Sequence, residues 1–144
     1  MHSRIIALNV RTNEDEVFEY MNGVADYVDD RGQDDDWGLE ILERIGTVDR
    51  EAHTFRPDRD KVIERLEAAY NYYQEQEIDG FEAFTDPMKV YRAASALEDR
   101  YAIYVYDDWN GYPVPWLEFL RQLYKYPKQG DQPYAITSIY DYHC

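Results

Sequence analysis

The 144-residue chain is short of cysteine, lysine and histidine, and each shortage excludes something. Its one thiol is Cys144, the last residue, so no disulfide forms within the chain and a reducing compartment is expected. Histidine occurs only at positions 2, 53 and 143, with no His-Glu-x-x-His and no paired-cysteine spacing, so nothing points to a zinc site. No glycine-rich loop precedes a helix, which removes the usual phosphate cradles. No Gly-x-Ser-x-Gly occurs, and Ser3, Ser95 and Ser138 are the only serines. Nowhere do 18 apolar residues run together, and Ile5–Leu8 is too short for a signal peptide or anchor. The expectation is a cytoplasmic protein that is not an enzyme and carries no cofactor or metal.

Positive charge is the largest deficit. Against 30 Asp plus Glu stand 15 Lys plus Arg, only four of them lysine, for a formal net charge of −15. Such a chain cannot neutralise a row of phosphates, so direct nucleic-acid binding is excluded, and docking on an anionic membrane is disfavoured. Hydrophobic residues make up 44% and aromatics 16%, enough to build a core and to set the chain apart from a disordered acidic tail.

Patterning predicts one α+β domain over 1–144, with a small mixed or antiparallel sheet packed against three to four helices. Ile5–Val10 reads as a buried strand. Thr12 or Asn13 caps a helix running to Arg31-Gly32, with Val17, Tyr20, Met21, Val24, Tyr27 and Val28 facing inward. Residues 33–36 are a polar loop. Between Leu39 and Phe55 a hairpin is preferred to a helix, because Asp49–Ala52 reads as its turn.

Pro57-Asp58 opens a second helix that ends before Asp79-Gly80, with Val62, Ile63, Leu66, Ala69, Tyr70 and Tyr73 as its stripe. Phe81 and Phe84 bracket a connector, and a third helix begins at Thr85-Asp86-Pro87. Tyr101–Tyr106 is a strand and Asp107–Gly111 a turn. Pro115 starts a helix with Trp116, Leu117, Leu120, Leu123 and Tyr124 inward, and Tyr134–Tyr142 closes the domain as a strand.

The charge is unevenly laid out. Residues 14–36 hold ten acids and one base, for a local charge of −9, whereas residues 101–144 carry −2. On the predicted first helix, Asp15, Glu19, Asp26 and Asp30 fall opposite the apolar stripe, where like charges at i and i+4 repel by a few tenths of a kcal/mol. That helix ends Asp29-Asp30, the second carries Glu75, Glu77 and Asp79, and the third ends Glu98-Asp99. Anions at helix C-termini oppose the dipole, so stability alone does not select them.

One explanation is imitation of nucleic acid. Duplex DNA presents a charge about every 3.4 Å along each strand. Carboxylates on a helix face, with the Asp34-Asp35-Asp36 loop beside it, present charge at comparable intervals to a basic groove. In size, charge and lack of catalytic motif the chain is similar to the phage-encoded DNA-mimic inhibitors that block restriction enzymes or CRISPR nucleases. That resemblance implies an anti-restriction or anti-CRISPR inhibitor whose partner is a basic, nucleic-acid-binding protein. The alternative is a non-catalytic interaction module whose charge serves solubility or adaptation to high salt.

Nine of the 15 tyrosines lie at or beyond residue 101. Most are expected to pack a core, with Trp109, Tyr112, Tyr140 and Tyr142 as surface contacts for the partner. Asp108-x-Asn110-Gly111 faintly resembles part of a calcium loop, but Tyr106 and Leu117 occupy its first and last ligand positions, so it reads as a turn.

Overall fold

A computed structural model describes residues 2–75, 80–98, 101–127 and 132–144. Among the described residues seven strands form one curled mixed sheet and six helices pack around it, an α+β architecture with more helices than the three to four expected. In chain order these are β1 (His2–Leu8), α1 (Glu14–Tyr20), β2 (Tyr27–Asp30), α2 (Asp36–Glu43), β3 (Gly46–Asp49), β4 (Thr54–Pro57) and α3 (Arg59–Glu75). There follow α4 (Gly80–Thr85), α5 (Pro87–Glu98), β5 (Tyr104–Asp107), β6 (Pro113–Pro115), α6 (Trp116–Lys125) and β7 (Tyr134–His143).

The sheet order is β3-β4-β7-β1-β5-β6. The ten-residue β7 is the spine. One edge pairs antiparallel with β1 along its length, and the other is shared, β4 taking its start and β2 its end. β1 and β5 run parallel, Ile5 opposite Tyr104 and Leu8 opposite Asp107.

Alternation along the strands sends side chains to two cores. On one face Ile6, Leu8, Val105 and Ile139 meet Leu39, Ile41 and Leu42 of α2 and Trp116, Phe119, Leu120 and Leu123 of α6. On the other Ile5, Ala7, Tyr104, Tyr106, Tyr140 and Tyr142 meet Val17 of α1, its C-cap Met21, and Ala25 just beyond.

Two expected elements are redrawn. The helix expected to reach Arg31 ends at Tyr20, and Gly23 sits at φ +84°, a left-handed conformation that suits glycine. The chain then returns as β2, because Val28 and Asp30 are drawn into register with Tyr142 and Tyr140. Tyr20, Val24 and Tyr27, expected inside, are therefore exposed.

The stretch 39–55 is neither all hairpin nor all helix. α2 occupies Asp36–Glu43, and the hairpin is confined to Gly46–Pro57. Gly38 misleads the sequence reading. It lies inside α2 because a Cβ there would come within 2.7 Å of Ile139, so helix and sheet meet through its missing side chain.

The connector expected between Phe81 and Phe84 is the short helix α4, and β6 was not anticipated. Leu66 and Tyr73 are half-buried whereas Tyr70 and Tyr124 are exposed. The expected ends of the second and third helices, with Glu77, Asp79 and Asp99, lie outside the described residues, as does most of the expected loop from Pro127 to Pro133. Among the described residues, no helix is long and apolar enough to cross a membrane.

Candidate functional site: an acidic flank on α1, β2 and the start of α2

The −9 segment wraps round the sheet, from α1 on one face along β2 at the end of β7 to the start of α2, whose apolar side packs on the other face. α1 packs beside β2, and the Glu14 carboxylate accepts a hydrogen bond from the Asp30 backbone N–H at 2.8 Å. Asn13 caps α1, its side chain accepting from the Glu16 N–H at 2.9 Å. Glu14, Asp15 and Glu16 lie in the first turn, at the positive end of the dipole. Asp15 and Glu19 are exposed and have no ion-pair partner among the described residues.

The remaining carboxylates differ in their freedom. Asp26 is exposed and pairs with the His143 imidazole at 3.1 Å. Asp29 pairs with Arg31 at 3.3 Å. Asp30 is exposed as well, and its carboxylate accepts from the Gly32 N–H at 2.8 Å and from the Ser138 hydroxyl. Asp34 stands 76% exposed, 3.5 Å from His53. Asp36 is 82% exposed and receives Arg50 at 2.8 Å.

Asp35 departs furthest from the expectation of a free surface charge. It caps α2 through the Gly38 N–H (2.9 Å), and Arg4 donates to it from Nε at 2.8 Å. Arg4 also donates to Asp141 at 3.0 Å, while Trp37 covers the guanidinium 4.2 Å from its ring centre. Asp141 is buried and accepts from Arg31 (3.3 Å) and His2 (3.1 Å) as well. Asp35 therefore belongs to an internal ion network that ties β1, β7 and the start of α2 together.

The placement on a single helix face is also corrected. Asp15 and Glu19 are on α1, Asp26 precedes β2, and Asp30 ends it. They share a flank because α1 and β2 pack together, not because of helical spacing.

The aromatic candidates divide in two. Trp109 and Tyr112 are more than half exposed, in the turn after β5. Tyr140 and Tyr142 are core residues and offer no surface contact: β7 is covered by β1 and β2 on its edges and by α1 on the face these rings point to. Burial pushes the Tyr140 hydroxyl up to about 12, with Asp30, Glu14 and Glu16 adding to the shift through their charge. Tyr106 is also raised to about 12, first by burial and then by the Glu16 carboxylate, to which its hydroxyl donates at 3.2 Å. Glu14 and Glu16 thus belong to the flank as much as the residues singled out from sequence. The visible signal was their place in the first turn of a helix.

Among the described residues no group of three or more His, Cys, Asp or Glu is arranged to hold a metal ion. No family model, curated protein or solved structure matches the chain.

Proposed function

We propose that the chain is an acidic inhibitor that imitates nucleic acid, presenting the α1–β2–α2 flank to the basic DNA-binding groove of a partner such as a restriction or CRISPR nuclease. The observation that carries this reading is the packing of α1 against β2, where Asp15 and Glu19 stand exposed without a cationic partner among the described residues. Asp26 and Asp29 are exposed before and on β2, Asp34 and Asp36 farther along the same segment, and their pairs with His143, Arg31, His53 and Arg50 lie at the surface. Surface pairs of that kind are worth about 0–1 kcal/mol, so a partner's arginines and lysines replace them at little cost. Inhibition is steric: the flank occupies the groove and excludes DNA, and long-range attraction speeds encounter.

The test is displacement from immobilised duplex DNA. Nucleic-acid-binding proteins of a bacterial lysate are loaded at about 50 mM salt and washed with the purified chain. The expected result is release of a discrete basic protein, whose complex with the chain dissolves as salt rises to about 200 mM. Release of nothing, or a complex indifferent to salt, overturns the reading.

The spread of acids over α3 favours a second reading. Asp60, Glu64, Glu67 and Glu75 are also exposed, as expected of a surface charged for hydration or high salt. That reading predicts that the isolated protein unfolds without molar salt, whereas the mimic is folded in dilute buffer.

A further inference from the structure

The parallel strands β1 and β5 end level with each other, Leu8 opposite Asp107. The segments leaving them, Asn9 and Asp108-Trp109, therefore emerge side by side at one end of the sheet. In open, mainly parallel α/β sheets ligands sit beyond the carboxyl ends of the strands, and this one parallel pair has a cleft at the corresponding place. Here the cleft measures about 390 Å³ and is lined by Asn9, Asp108, Trp109, Gln132, Pro133 and Tyr134. The β2 part of the acidic flank lies at the other end of the sheet, against the half of β7 that pairs with the start of β1.

The rim is firmly built. Asn9 holds φ +62°, a left-handed conformation uncommon outside glycine and a frequent mark of functional loops. Its backbone N–H donates to Ala135 O and its Oδ1 accepts from the Ala135 N–H, both at 2.8 Å, while its amide donates to Asp108 at 3.4 Å. At the end of β5 the Asp107 carboxylate accepts the Asn110 N–H (3.0 Å) and side-chain amide (2.7 Å), and Asn110 exchanges two 2.8 Å bonds with Gln122 of α6. This fixes the turn that carries Trp109. The indole is 58% exposed, with Tyr126 behind it at 5.5 Å between ring centres.

We propose that this cleft binds a neutral sugar, its ring stacked on Trp109 and its hydroxyls held by Asp108 and Gln132. An exposed indole offers an apolar platform for the C–H face of a pyranose. A carboxylate and an amide beside it supply acceptors and donors for hydroxyl groups. Among the described residues no lysine or arginine lines the cleft, and Asp108 places a carboxylate in it, so a phosphorylated ring is disfavoured.

The test is a titration of ¹⁵N-labelled protein with the methyl glycosides of glucose, galactose and mannose, following the Trp109 indole N–H. At least one should give a saturable shift with a Kd of about 1–10 mM. Trp109→Ala, checked for fold by circular dichroism, should weaken binding at least tenfold on the backbone signals of Asn9 and Asp108, and Asp108→Asn several-fold. Adenosine monophosphate, a ring with a phosphate, should bind at least tenfold more weakly than the best glycoside. No saturable shift with any glycoside, unchanged binding in Trp109→Ala, or equal binding of the nucleotide would overturn the proposal.

Discussion

Asp107 is fully buried at the end of β5, and its carboxyl is pushed above the usual carboxylate range by burial, against the opposing pull of its hydrogen bonds from Asn110. The folded state therefore holds the proton more tightly than the unfolded chain. Stability attached to this group is greatest when it is protonated and falls as pH rises from the ordinary value of 3.8 through the raised one. Asp107→Asn keeps an acceptor for Asn110 and removes the buried charge. Its unfolding midpoint relative to the native chain should be most favourable near neutral pH, and the advantage should shrink as pH falls toward 3.8. Tyr140 makes a second residue-scale case. Its buried hydroxyl lacks a partner in hydrogen-bonding geometry, the neighbouring Ser138 hydroxyl being directed to Asp30. Tyr140→Phe removes an unsatisfied polar group without opening a cavity, so denaturant unfolding should show no loss and up to about 1 kcal/mol of gain.

Elements are joined here by buried ion pairs as well as by apolar contact. Arg4 of β1 bridges Asp141 of β7 and Asp35 at the cap of α2. Glu98, buried at the end of α5, is held by Arg65 of α3 at 2.6 Å and by Arg44 after α2 at 3.2 Å. Removing one partner strands a charge in a poorly solvated place. Arg4→Met should therefore cost about 3–5 kcal/mol in denaturant unfolding, far more than loss of an exposed pair such as Arg50 with Asp36.

Sequence discloses the elements that are locally self-consistent. The Pro87 helix start, the β7 run and the Asp49 turn, whose carboxylate accepts the N–H groups of Glu51 and Ala52, were all legible in advance. It conceals those set by distant partners. Val28 and Asp30 form a strand only because β7 offers an edge, and Gly38 lies in a helix only because Ile139 needs its space. Asp35 reads as one member of an acidic triplet, and nothing in its neighbours announces Arg4, 31 positions away.

At the scale of the whole molecule, the net charge of −15 resolves into parts with different uses. Asp35, Glu98 and Asp141 are consumed in holding elements together. Asp60, Glu64, Glu67 and Glu75 solvate α3. The proposed partner surface is what remains exposed on the α1–β2–α2 flank. Its burden of mutual repulsion leads to a stability prediction: Glu19→Gln, which relieves repulsion with Asp15 four residues earlier and removes an anion from the last turn of α1, should raise stability by a few tenths of a kcal/mol at low salt, and less as salt screens the charges.

Location, rather than total charge, is the central claim, and two variants of equal net charge separate the two. One carries Asp15→Asn, Glu19→Gln, Asp29→Asn and Asp34→Asn on the flank; the other carries Asp60→Asn, Glu64→Gln, Glu67→Gln and Glu75→Gln on α3. Each is measured for displacement of a basic protein from immobilised duplex DNA at about 50 mM salt. The account predicts that the flank variant loses at least tenfold in potency while the α3 variant keeps that of the native chain. Equal loss in both, or loss confined to the α3 variant, would contradict it.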